Sequence, residues 1–234
     1  MTLGIMQPYF LPYLGYWQLL ARVDAFVVYD NIQYTKKGWI NRNRYLRDGE
    51  PAWFTVPLKK ASDYLDVRER EVAPDFDRAK LLRALASSYR TAPQFDAVFP
   101  LVERVVRAPK AHLFDYVHHS LIETAAFLGV ATPIVVSSTV AIDHTLAAER
   151  RVLALCEAIG AEAYLNPVGG QALYSAAAFA ARGVRLQFLR PQLREYPQCG
   201  RPFVPGLSIL DVLMFNSRDT VREMLKECDV LSAV

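Results

Sequence analysis

A chain of 234 residues with 52% hydrophobic, 12% aromatic and 22% charged side chains has the material for a large core and an ordinary charged surface, which excludes a disordered polymer. Its net charge of +3 is too small to specify a nucleic-acid partner. Its three cysteines (Cys156, Cys199 and Cys228) lack the CxxC spacing of a zinc site or a disulfide framework, and no run approaches the ~20 apolar residues of a membrane span.

No cluster of Pro, Gly and Ser interrupts the chain, and no basic leader precedes the apolar N-terminal stretch, so the expectation is one cytoplasmic domain over 1–234. Residues 2–6 (TLGIM) and 24–30 (DAFVVYD) read as short buried strands. LGYWQLLARV between them holds a helix with Leu14, Trp17 and Leu20 on one stripe. Strands joined this closely through a helix are predicted to be parallel, which puts residues 7–13 and 30–45 at one carboxyl edge, where open α/β sheets bind ligands. WFTVPL (53–58) is a further strand. Residues 76–130 read as successive helices, with Pro93, Pro100 and Pro109 as breaks, so that a helical insertion or lid occupies about 75–130. Alternation then returns: a strand at 133–138, a helix at 146–160 closed by Gly160, a strand at 163–167, a helix at 171–183 closed by Gly183 and a strand at 184–189. SILDVLMFN (208–216) and DTVREMLKECDVL (219–231) follow as helices. The rhythm predicts an α/β fold, a Rossmann-like, mainly parallel sheet flanked by helices.

Chemistry concentrates in DNIQYTKKGWINRNRYL, directly after the second strand. One carboxylate, Asp30, precedes the amides Asn31, Gln33, Asn41 and Asn43; the cations Lys36, Lys37, Arg42 and Arg44 surround Trp39. Arg forks, Lys point charges and an aromatic face suit a ligand bearing phosphate or carboxylate. The alternative is a solvated basic hairpin. Asp30 and Lys37 are the candidate catalytic residues: Asp30 to orient or deprotonate an attacking hydroxyl or amine, Lys37 to hold the anion together with Arg42, while Trp39 and Tyr9 stack on a ring. Capping the next turn is the other role open to Asp30. Gly169 and Gly170, between a strand and a helix, suit backbone approach to an anion or an αL turn. Ser208 and Asp211 read as a helix cap and a first-turn acid, Cys156 as core, and His118, His119 and His144 lack metal-ligand spacing, so no metal site is expected.

The stretch MQPYFLPYLGYWQLLARVDAFVVYDNIQYTKKGWINRNRYL resembles the opening signature of the WbqC-like family, and FVPGLSILDVLMFN its closing one, with the length matching over essentially the whole chain. The resemblance implies a bacterial cytoplasmic protein encoded among surface-polysaccharide and O-antigen genes, with a transferase role toward activated or amino sugars. Positions matching the family motif are Gln7, Pro8, Tyr9, Tyr13 and Gly15, then Asp30, Gln33, Lys37, Trp39, Asn41 and Arg42. More distantly, Tyr13-Leu14-Gly15-Tyr16 is similar in position to the H-x-G-H of nucleotidylyltransferases and class I aminoacyl-tRNA synthetases. Tyrosine is neutral near pH 7 and cannot supply the positive charge of that histidine pair, which leaves Tyr13 and Tyr16 stacking or hydroxyl-donor roles. The expected function is acyl, aminoacyl or glycosyl group transfer with an anionic small-molecule ligand: a nucleotide sugar, an activated acyl donor or a carrier. A nucleotide or nucleotide-linked donor is the one cofactor to expect, with no nucleic acid and no stable membrane insertion. A nucleotidyl-transfer or adenylate-forming enzyme, and a non-catalytic binding or scaffold protein of the same pathway, are the alternatives.

Overall fold

The structure, a computed structural model, describes residues 1–198 and 202–233; Cys199 lies outside them. Strands β1 (Thr2–Met6) and β2 (Ala25–Val28) are parallel neighbours joined through helix α1 (Leu14–Arg22), with Leu3 opposite Ala25 and Met6 opposite Val28. Alternation along the strands feeds two cores: Leu3, Ile5, Ala25 and Val27 enter one, Phe26 and Val28 the other.

The chain then leaves the sheet. β3 (Arg42–Arg47) and β4 (Glu50–Thr55) form a separate antiparallel hairpin, turned by Asp48 and Gly49 with φ of 56° and 82°. Two successive positive φ values are the demand that Asp-Gly meets in a two-residue turn. This corrects the reading of residues up to 45 as loop and of a strand over 53–58: Asn43, Tyr45, Ala52 and Phe54 alternate inward, and that buried face defines the ladder.

α2 (Arg78–Tyr89), α3 (Phe95–Arg107) and α4 (Leu113–Leu128) make the expected helical insertion. Pro100 does not break it but lies inside α3, where burial of Val98, Leu101, Val102, Val105 and Val106 outweighs one missing N–H.

β5 (Ile134–Val136), α5 (Ala148–Ile159), β6 (Ala163–Pro167), α6 (Ala176–Ala180) and β7 (Arg185–Pro191) restore the alternation. The helix expected over 171–183 is shorter, because a 3-10 turn (Val168–Leu173) comes first and Ser175 starts α6 afresh, its hydroxyl accepting from the Ala178 N–H. α7 (Ile209–Phe215) agrees with its pattern, whereas the helix expected over 219–231 divides into α8 (Arg218–Met224) and an edge strand, β8 (Cys228–Ser232). Here Cys228 and Val230 pack on one core and Leu231 on the other, the signature of a strand with both faces covered.

The sheet order is β5-β2-β1-β6-β7-β8, with β8 alone antiparallel. α1, α7, α8 and the insertion cover one face; α5 and α6 cover the other, where burial pushes the Cys156 thiol up to about 12. Among the described residues no helix is long and apolar enough to cross a membrane. Chain order runs outward from β1 to β2 and β5, then resumes at β6 on β1's other side. The topological switch therefore falls between Met6–Gln7 and Asn166–Pro167.

Candidate functional site

The aromatic segment leaving β1 is held from three sides. Asn43 on β3 donates its amide to the carbonyls of Phe10 (3.2 Å) and Leu11 (2.8 Å), Ser208 at the start of α7 donates to the Leu11 carbonyl at 2.8 Å, and the buried Tyr16 donates to the carbonyl of Gln7 at 3.0 Å. Leu11 accordingly keeps a φ of 45°, and Gly15 leaves room for the Tyr13 ring, since a Cβ there would lie 2.5 Å from Cε2 of Tyr13 and displace that ring. With the ring of Tyr13 laid over α1's first turn, Tyr9, Tyr13 and Trp39 wall a cavity of about 390 Å³ between Met6 and Pro167, at the switch point. Arg44 lines it too, its guanidinium 5.6 Å from the Trp39 ring centroid and its buried Nε without a partner among the described residues. Burial raises both phenols above their ordinary value, so Tyr9 and Tyr13 present neutral hydroxyls at physiological pH.

A second, more polar cavity of about 540 Å³ lies on the far side of β1's exit and is lined by Gln7, Tyr29, Asn31, Gln33, Tyr174 and the start of α5. Its floor is a hydrogen-bonded chain. Ser137 Oγ lies 2.8 Å from Oδ1 of Asp30 and 2.6 Å from Oδ1 of Asn31, and the Ser138 N–H donates to Asp30 at 2.9 Å. The Asn31 amide donates to Nδ1 of His144 at 3.1 Å, which leaves Nε2 to donate to the Val140 carbonyl at 3.1 Å. Arg151, on α5 and 9% exposed, donates from one terminal nitrogen to the Asn31 carbonyl at 3.0 Å and lies 5.2 Å above the Tyr29 ring.

Burial raises the Asp30 carboxyl, but hydrogen bonds from Ser138 and Ser137 outweigh it and hold the group below its ordinary value. A carboxylate stabilised in this way is a weak base and a firm anchor. Because the folded pKa is the lower one, its stabilisation is present above the unfolded value of ~3.9 and is lost as pH falls through the folded value. Asp30→Asn is expected to flatten the acid limb of the stability profile in urea titrations between about pH 2 and pH 6; a limb as steep as the wild type's would contradict this.

Of the residues singled out in the sequence, Gln7, Asn31, Gln33 and His144 line the polar cavity and Tyr9, Tyr13, Trp39, Asn43 and Arg44 the aromatic one. The other candidate site residues line neither. Asp30 is buried beneath the polar floor, with the half-exposed Arg68 at 3.8 Å. Lys37 is exposed, with a φ of 65°, and Lys36 pairs with Asp63 at 3.6 Å. Arg42 donates to the carbonyls of Lys37 and Gly38 and lies 4.2 Å over the Trp53 ring. Asn41 is buried between Tyr34 and the Val56 carbonyl, and Tyr16 is core. Gly170 permits close approach of Asn166, since a Cβ would meet that amide, and Gly169 stands in open space. Arg151, Tyr29 and Tyr174, which the sequence did not single out, complete the polar one. Arg151 is visible in the sequence only as a cation four residues before Leu155 on an apolar helical stripe. Among the described residues, no three His, Cys, Asp or Glu side chains are grouped to hold a metal ion.

A family model described as WbqC-like protein family matches residues 7–223. The chain is also similar to an uncharacterized protein of Mycobacterium tuberculosis, Rv1507c, with 29% identity over 231 residues covering 96% of this chain and 97% of that one. No solved structure matches it.

Proposed function

The chain belongs to the WbqC-like protein family, and from that premise we propose that it is a cytoplasmic group transferase, joining an activated, nucleotide- or carrier-linked donor to a sugar acceptor in the synthesis of bacterial surface-polysaccharide precursors. The observation that carries this reading is the pair of unlike cavities on either side of β1's exit, one walled by three aromatic rings and lined by Met6, the other polar and lined by Gln7. A bimolecular transfer needs two ligands held edge to edge, and adjacent subsites of different polarity, at the switch point of a parallel sheet, supply that arrangement. The rings suit the flat part of a donor, and the amides and carboxylates of the polar cavity suit the hydroxyls of an acceptor.

In this reading Asp30 is a positioning residue. Through Ser137 and Asn31 it fixes the floor on which His144 and Arg151 rest. Lys37, two residues before Trp39, stays on the exposed loop that carries the ring wall and attracts an anionic donor to it. Catalysis then comes chiefly from holding donor and acceptor in reacting geometry and from charge stabilisation.

Incubation with nucleotide-linked sugars and acyl-carrier donors, each with and without amino-sugar acceptors, tests this by mass spectrometry. A product heavier than the acceptor by the transferred group, formed only when both partners are present, is the expected result. Donor binding with no product in any pairing would favour the non-catalytic binding reading.

A further inference from the structure

α5 begins at the polar cavity, and its N-terminus has no side-chain cap: Ala147 occupies the N-cap position and carries no acceptor. The first N–H groups of this 12-residue helix therefore lack the partner that Ser, Thr, Asp or Asn provides, at the end of the helix where the dipole favours negative charge. An uncapped helix end alone specifies nothing. The second observation is Arg151, one turn into the same helix and lining the same cavity. It is 9% exposed and forms no ion pair among the described residues, and its Nε and one terminal nitrogen are buried with no hydrogen-bond partner. A guanidinium with five donors, nearly removed from water and given one protein acceptor, is costly to fold around unless an anion completes it. The cavity is also lined by Gln7, Gln33 and Asp66, which offer hydrogen bonds to hydroxyls, and by Glu149 in the first turn of α5, whose carboxylate is engaged by the Ser175 N–H.

We propose that this cavity is a phosphate subsite for a sugar-bearing ligand: a tetrahedral oxyanion sits at the N-terminus of α5 against Arg151, and the hydroxyls of the attached sugar face Gln7, Gln33 and Asp66. Helix N–H groups and an arginine fork are the pairing that selects phosphate, and 540 Å³ holds a phosphorylated hexose. The chemistry is shared by a sugar phosphate and by the diphosphate of a nucleotide-linked sugar. This inference deepens the transferase reading of the same crevice and rests on it for the class of ligand.

Calorimetric titration of the full chain with inorganic phosphate, a hexose phosphate, a uridine-diphosphate hexose and, as an oxyanion control, acetate separates these sources. Hexose phosphate is expected to bind about 10-fold or more tighter than inorganic phosphate, and acetate far more weakly than either. A uridine-diphosphate hexose binding tighter still would identify the nucleotide-linked source, and one binding more weakly the sugar phosphate. Arg151→Met is expected to weaken hexose phosphate by about 10- to 100-fold, with partial recovery in Arg151→Lys. Because Arg151 also holds the Asn31 carbonyl, its loss carries a folding risk, so Ala147→Asp is the decisive variant. A carboxylate at this exposed N-cap should keep or raise the melting temperature while displacing the oxyanion, lowering affinity by about 10-fold or more. If none of the phosphate ligands binds, or if the Ala147→Asp protein binds hexose phosphate as the wild type does, the oxyanion is not held here and the proposal falls. Product formed at the wild-type rate by Ala147→Asp would overturn the subsite while leaving the transferase reading intact; phosphate bound as described with no product from any donor would do the reverse.

Discussion

Asp211→Ala is expected to lower the unfolding free energy by about 3–5 kcal/mol, the usual cost of removing one partner from a buried charged network. Asp211, on α7, is fully buried and accepts from Tyr196 (2.7 Å) and Gln198 (2.7 Å) on one oxygen and from Tyr89 (2.8 Å) on the other; the Tyr89 hydroxyl in turn accepts from the Leu46 N–H at 3.2 Å. One carboxyl thereby ties α2, α7 and the hairpin together behind the ring wall. Truncation strands the two buried hydroxyls of Tyr89 and Tyr196 in addition to leaving a void, while Gln198 keeps the Val204 carbonyl, and each donor left unpaired costs about 1–3 kcal/mol. Burial raises the Asp211 carboxyl above its ordinary value despite those bonds. The pH-dependent part of its contribution is therefore fully present below the unfolded pKa and declines as pH rises through the folded one, the opposite sign to Asp30. Urea unfolding of both proteins at neutral pH and near pH 5 checks this. A difference below about 1 kcal/mol at both would show that the network is incidental to the fold.

Trp39→Ala is expected to weaken a ring-bearing donor, probed with a uridine-diphosphate hexose, by about 1–3 kcal/mol, the usual worth of stacking a base on an aromatic side chain. The fold should survive, because Trp39 is 37% exposed on a loop and its main aromatic neighbour is Trp53, at 5.1 Å between centroids. Arg42→Ala should act more weakly and through the loop, since Arg42 braces the Lys37 and Gly38 carbonyls and covers Trp53 without lining either of the two cavities. Calorimetry with accompanying thermal melts separates the two. Unchanged affinity in a normally melting Trp39→Ala protein would remove the ring wall from the site.

What was legible in the sequence was local. β1, α1 and β2 follow from short apolar runs around one amphipathic helix, and their parallel pairing places Gln7 at the carboxyl edge without further information. The aromatic wall was legible as well, because Tyr9, Tyr13 and Trp39 are poor choices for solvated turns. The hairpin carried a plain signal in Asp48-Gly49, obscured by the density of cations before it. Within that loop Asn31, Gln33, Trp39, Asn43 and Arg44 reach the two cavities, whereas Lys36 and Arg42 find their partners within the loop or on the surface beside it, as long cationic side chains readily do. The polar cavity was the least legible part. Arg151 meets Asn31 across 120 residues of sequence, and Asp30 meets Ser137 across 107, so the floor exists only once β2 and β5 lie side by side.

Ligand is expected to lie across β1's exit, with rings against Tyr9, Tyr13 and Trp39 and an oxyanion at the start of α5. A crystal structure of the protein soaked with a uridine-diphosphate hexose tests it most directly. Electron density is expected to place the base about 4.5–7 Å, centroid to centroid, from at least one of those rings, with phosphate oxygens within hydrogen-bond distance of Arg151 or of the first N–H groups of α5. Density for the ligand on the Lys36–Lys37 surface instead, with both cavities holding only water, would contradict it.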